Sequence, residues 1–185
     1  MMNIEKGLHF VDWLGQYVLA FDHREAETEE GRKLLLASAA SGTGFAAARL
    51  VGANWDGIAM ALAAMGEAFK DAPVKEGMDL IFFDMAFADA LAVEEVTGLL
   101  WHEAAHIKLG HVERQGHTGN DDEIEADRFA VRYVGKKAMK SALVNFLMRS
   151  IDFADEHFGK VHDRNKAMTT LKANPEWTSR MQALA

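Results

Sequence analysis

Leu99-Leu100-Trp101-His102-Glu103-Ala104-Ala105-His106-Ile107-Lys108-Leu109-Gly110-His111 is the stretch on which the reading of this chain turns. It closes a longer segment, Val93 to Leu109, whose apolar Val96, Leu99, Leu100, Ile107 and Leu109 predict a helix, with Gly110 suited to its C-terminal cap. Positions i and i+4 of a helix share a face, so the imidazoles of His102 and His106 can reach a single ion. Glu103 sits beside them, offset around the helix, where its carboxylate can meet a water on that ion without being a ligand.

Two histidines leave such a site short, because catalytic zinc takes three protein ligands plus water. A third His in the pattern H-E-x-x-H-x-x-G-x-x-H would require Gly at 109 and His at 112, and this chain has Leu109 and Val112. His111 falls one residue early, beyond the expected cap. The best candidate is Glu123, in Glu123-Ile124-Glu125-Ala126-Asp127-Arg128-Phe129-Ala130. Glu123 and Asp127 share a face at i, i+4, and Ala126 and Ala130 would let this second helix pack closely on the first. One carboxylate can bind the metal while the other orients a ligating histidine.

These residues resemble the gluzincin zinc metallopeptidases, most closely the M48-type enzymes. A strand, an H-E-x-x-H helix and a downstream E-x-x-A-D helix are matched here by Asp79–Asp84, Val93–Leu109 and Glu123–Asp127. The resemblance covers roughly residues 79–135. It implies a zincin-like fold, α+β and mostly helical, with a small sheet beside the H-E-x-x-H helix and Asp79–Asp84 as the edge strand of the substrate cleft. It also implies one zinc ion held by His102, His106 and Glu123, with Asp127 as the partner of a zinc histidine in the outer shell. Glu103 would be general base and then acid in peptide-bond hydrolysis. His162 or Arg164 could supply an oxyanion or substrate contact, with a solvated tail position as the simpler reading of both. The run His162-Asp163-Arg164 lacks the proline and the spacing common in the family.

Outward from this core, the chain has 185 residues, 49% hydrophobic and 26% charged, which suits one soluble domain. A formal charge of −8 argues against a nucleic-acid partner, and Lys136-Lys137 and the 160–166 stretch read as solvated helix ends. With no cysteine, any metal site must use His and carboxylates. The N-terminus lacks the form of a signal peptide, and no stretch of about 20 uninterrupted apolar residues offers a membrane span. A cytoplasmic protein with a protein or peptide substrate is the working expectation.

One domain over residues 1–185 is expected, with a helical N-terminal part at 1–70 and a catalytic core at 71–185. Ile4, Leu8, Val11, Leu14, Val18 and Phe21 fall at helical spacing, so residues 4–21 are expected to form an amphipathic helix. Asp22 to Lys33 reads as a helix end and loop. Leu34-Leu35-Leu36 followed by Ser41-Gly42-Thr43-Gly44 reads either as a strand with a turn or as a loose helix, and Ile58 to Phe69 as a helix. After a break at Asp71-Ala72-Pro73, Asp79-Leu80-Ile81-Phe82-Phe83-Asp84 is the best strand. A polar loop at 113–121 precedes helices at 122–134 and 138–158, and the tail adds one or two short helices around Pro175.

Other readings of the same residues are weaker. A di-iron carboxylate bundle needs two E-x-x-H motifs, and the chain has only Glu103-Ala104-Ala105-His106. A buried His102–His106 polar pair would leave Glu103 and Glu123 in the core without reason. A silent zincin-like regulatory or binding module with a structural zinc has no use for Glu103. An enzyme gated by its first 70 residues is a further alternative, testable by truncation. His111 and His117 read as solvated loop residues, and His9, His23 and His157 carry no motif.

Overall fold

The computed structural model describes residues 4–39, 44–66, 69, 71–113, 119–159 and 163–185. The Ser41-Gly42-Thr43 turn, His117 and His162 lie outside them. The fold is α+β and mostly helical, with a four-stranded mixed sheet. The chain forms two compact units, Met1–Asp89 and Ala90–Ala185.

The first unit departs from expectation at its start. Residues 4–21 do not make a helix: β1 (Gly7–Val11) pairs antiparallel with β2 (Gln16–Phe21), from Gly7 opposite Ala20 to Val11 opposite Gln16. The N–H groups of Leu14 and Gly15 both donate to the Val11 carbonyl, at 3.0 and 2.8 Å, and close the connection. The reason lies in Tyr17-Val18-Leu19-Ala20-Phe21. Its β-branched and aromatic members suit a pleated surface, and Val18, Leu19 and Ala20 are all buried, as in a strand covered on both faces. A helix would have held Gly7 and Gly15 inside it, at a cost of about 1 kcal/mol each relative to Ala.

The segment expected to be a helix end and loop contains a 3₁₀ turn, His23–Glu25, and the start of α1 (Glu29–Ser38). Thr28 caps α1, its Oγ1 accepting the Gly31 N–H at 3.0 Å, and Glu29 and Glu30 occupy the first turn, where acidic charge complements the helix dipole. Leu34-Leu35-Leu36 is therefore helical. β3 (Phe45–Arg49), which the sequence did not disclose, follows, and then α2 (Ala53–Met65).

Asp79–Asp84 is a strand, β4, but it is interior rather than an edge. The order is β1-β2-β4-β3: β4 runs parallel to β2, with Ile81 opposite Val18, and antiparallel to β3, with Ile81 opposite Ala47. Its run of Leu80, Ile81 and Phe83, all buried, is the signature of a strand covered on both faces. Among the described residues β1 and β3 are the outer strands. Leu19 and Leu80 from the sheet, Leu35 from α1, and Ile58 and Met65 from α2 share one core with Leu50 and Phe69. A single-turn helix, α3 (Met85–Ala88), follows β4 and is capped by Asp84.

The second unit is helical. α4 (Val93–Lys108) ends one residue before the expected boundary, and Gly110 takes the left-handed conformation (φ 73°) that releases the chain from it. α5 (Asn120–Phe158) contains both expected helices. Gly135, at φ 79° and ψ 158°, breaks it between 134 and 136, a conformation that only glycine adopts without strain. α6 (Arg164–Ala173) and α7 (Pro175–Ala183) complete the unit, with Pro175 in the first turn of α7 and Asn174 as its cap.

α4 and α5 meet along small residues. Ala104, Ala105, Ala126 and Ala130 have no exposed surface, and Trp101 stacks on Tyr133 with ring centroids 3.5 Å apart. The α4 N-terminus is tied to the far half of α5 by the buried Glu95. One of its oxygens accepts the Ala92 N–H (2.9 Å), and the other accepts Ser141 Oγ and Asn145 Nδ2, both at 2.5 Å. Burial alone would raise this carboxyl, but the hydrogen bonds, that from Ser141 foremost, hold it below the usual range. No described helix is long and apolar enough to cross a membrane.

Candidate metal site

One turn of α4 separates His102 from His106, and both side chains are buried against α5. Their Nε2 atoms lie 3.1 Å apart. Glu123, in the first turn of α5, sets one carboxylate oxygen 3.4 Å from His102 Nε2 and the other 3.4 Å from His106 Nε2. The three side chains thus form a group able to hold a metal ion. The close α4–α5 approach permitted by Ala126 and Ala130 brings Glu123 to the histidines.

Each histidine is held from behind. His102 Nδ1 lies 2.8 Å from Asp127 Oδ1, though off the line of a well-directed hydrogen bond, and Asp127 is fully buried. His106 Nδ1 lies 3.0 Å from His111 Nδ1. His111 is not solvated as expected: it is 2% exposed, and its Nε2 lies 3.3 Å from Glu125 and 3.7 Å from Asp122. The turn His111–Glu113 directly after Gly110 folds it back under α4, an outcome that its position past a helix cap did not suggest.

Arg180, on α7, is the residue that the sequence reading missed. Its Nε and Nη2 donate to the two oxygens of Asp127, each at 2.8 Å, and its Nη1 lies 2.9 Å from Glu123. Arg164 instead forms a two-point ion pair with Asp152 on the exposed side of α6. No sequence signal separates Arg180 from other tail arginines, because its role depends on how α7 packs on α5.

The electrostatics follow from this packing. Burial by itself pushes the His102 imidazole down, but Asp127 and Glu123 overcome it and hold the pKa up at about 10. Burial, and then the positive charge of His102, press His106 down to about 4. Burial would raise Glu123, yet His102 and Arg180 bring it down to about 2. Asp127 likewise stays below the usual carboxylate range despite burial, through His102 and Arg180. Burial opposes the Arg180 charge, and Asp127 then Glu123 more than restore it. Glu103, half-buried on the same turn as His102, adds its charge to the fields that raise His102 and Arg180. Without a metal, His102 is therefore held toward its charged imidazolium form by the carboxylates around it.

No family model, curated protein or solved structure matches the chain. Among the described residues three groups are close enough to hold a metal ion, His102–His106–Glu123, Asp22–His23–Asp84 and His111–Asp122–Glu125, and the first is the one that the H-E-x-x-H helix builds.

Proposed function

We propose that the chain is a zinc-dependent peptidase of gluzincin type, with His102, His106 and Glu123 as ligands and Glu103 as general base. The observation that carries this is the convergence of three buried or half-buried donors: His102 and His106 Nε2 lie 3.1 Å apart, and each has one of the two Glu123 oxygens 3.4 Å away. A tetrahedral zinc with ligands at about 2.0–2.1 Å separates neighbouring ligand atoms by about 3.3 Å. Two imidazoles and a carboxylate are a donor set that zinc accepts, and three ligands leave its fourth position for water or substrate. Charge supports the same choice: Glu103, Glu123 and Asp127 bear on the site beside the Arg180 guanidinium, and a dication would take over the positive charge that protonated His102 supplies in its absence.

His102, His106 and Glu123 would hold the zinc, which when bound would supply an activated water and a polarised carbonyl. Glu103 is placed to accept a proton from such a water and to return it to a leaving amine. Asp127 holds His102 by its Nδ1, and Arg180 keeps Asp127 and Glu123 ionised and in place. His162 and Arg164 keep the proposed oxyanion or substrate role, Arg164 only by releasing Asp152. A protein or peptide substrate, a cytoplasmic setting and one zincin-like domain over residues 1–185 belong to the same proposal.

The test is the zinc content of untagged wild type and of folded Glu123→Ala, joined to cleavage of a mixed-sequence peptide library. About one zinc in wild type, little in the variant and cleavage by wild type alone support the proposal. Zinc without any cleavage would leave the structural-zinc module, and no zinc in wild type would remove the metal reading altogether.

A further inference from the structure

We infer that His111 positions His106 for metal binding by accepting its Nδ1 proton, and that Glu125 and Asp122 set His111 in the tautomer able to do so. The inference rests on the zinc reading above and extends it to a residue that is not itself one of the three ligands.

The protons dictate the arrangement. A neutral imidazole has one N–H and one lone pair. If His106 offers its Nε2 lone pair to an ion, its proton is on Nδ1. That proton points at His111 Nδ1, 3.0 Å away, which must therefore be the unprotonated nitrogen of its own ring. His111 then carries its proton on Nε2, and Nε2 faces carboxylates: Glu125 at 3.3 Å and Asp122 at 3.7 Å. Every group in the row has a complementary neighbour. The His111 ring is fully buried and edge-on to His106, with centroids 5.0 Å apart at 67°, so its acceptor lies in a fixed direction.

His111, Asp122 and Glu125 are themselves close enough to hold a second ion. An ion on His111 Nε2 would require that lone pair and drive the His111 proton to Nδ1. Two Nδ1–H groups would then face each other at the 3.0 Å contact with no acceptor between them. Once the first site is filled, His111 is a hydrogen-bond acceptor and not a ligand.

The experiment is zinc affinity of the full chain by chelator competition, for wild type, His111→Leu and His111→Asn. It is paired with proton–nitrogen correlation spectra of the histidine rings in zinc-loaded wild type. His111→Leu should weaken zinc by about 10–100-fold, and His111→Asn, whose amide oxygen can stand near the Nδ1 position, should recover most of that. The His111 ring should be neutral with its proton on Nε2. Folded His111→Leu that binds zinc as tightly as wild type, a His111 proton on Nδ1, or two zinc ions per chain with His111 ligated would each overturn the inference while leaving the primary site standing. If His111→Leu fails to fold, the wild-type spectrum decides. Wild type that takes up no zinc overturns the parent reading and this one with it.

Discussion

Arg180 and Asp127, 53 positions apart, form a two-point ion pair with both N···O distances at 2.8 Å, and this pair fastens α7 to α5 directly behind the His102 ring. Asp127 is fully buried, so its charge is supported only by what touches it. Replacing Arg180 by Ala leaves that carboxylate with His102 as its described cationic neighbour. The expected loss is about 3–5 kcal/mol, the range for breaking one side of a buried pair. Arg180→Lys should recover only part of it, since an ammonium lacks the two-point fork. Urea unfolding of the metal-free proteins measures both, and an Arg180→Ala protein as stable as wild type would refute the assignment.

Zinc affinity should rise with pH. Metal-free His102, with its pKa near 10, holds a proton at neutrality, whereas His106, near 4, and Glu123, near 2, are already deprotonated. Binding must expel the His102 proton, so affinity should increase about tenfold per pH unit through the neutral range and level off as pH approaches the His102 value. Below the His106 value two protons compete and the dependence steepens. Calorimetry in buffers of different ionisation enthalpy should count about one proton released near pH 7. A pH-independent affinity would mean that His102 is neutral before zinc arrives.

Glu103→Gln separates binding from turnover. Gln keeps the size of the side chain and removes the base, so zinc content should stay at the wild-type level while hydrolysis falls by about 10²–10⁴-fold, the usual contribution of a positioned general base. An active Glu103→Gln enzyme would assign the proton transfer to another group.

How much of this was legible in the sequence depended on the range of the interaction. His102 and His106 share a helix face one turn apart, so their spacing alone pointed to the pair that the fold brings together, with Glu103 on the same turn. That Glu123 and Asp127 lie beside the histidines needed one more inference, that two alanine-bearing helices pack closely, and this proximity was readable. Arg180 was not, because nothing local distinguishes an arginine that packs inward from one in water. The hairpin at 7–21 was misread for a different reason: an apolar set at helical spacing there also fits two short strands, and the glycines at 7 and 15 carried the deciding information. The interior place of β4 was hidden because its neighbour β3, Phe45-Ala46-Ala47-Ala48-Arg49, has the alanine content of a helix.

Glu95 gives a test of the second unit away from the candidate site. It collects hydrogen bonds from Ala92, Ser141 and Asn145 and so ties the start of α4 to α5 beyond the Gly135 break. Glu95→Ala leaves these donors short of a partner, and the expected cost is about 1–3 kcal/mol in thermal or urea unfolding. Zinc stoichiometry should not change, because none of the three proposed ligands touches Glu95 through these bonds. Loss of zinc from a folded Glu95→Ala protein would show that the α4–α5 register reaches the site from this end.

Deleting residues 1–70 distinguishes a gate from a core. β4 lies between β2 and β3, with Leu80 and Ile81 fully buried, and both neighbours fall within the deletion. Their removal strips β4 of its ladder partners on either side and removes Leu19, Leu35, Leu50, Ile58 and Met65 from the core that Leu80 shares. An apolar strand left with two open edges is a template for aggregation. The truncated chain should therefore be insoluble or recovered only as aggregate, as judged by sedimentation of the expressed protein. A soluble truncation with raised peptidase activity would instead make the first 70 residues a removable cover and reverse this reading of the sheet.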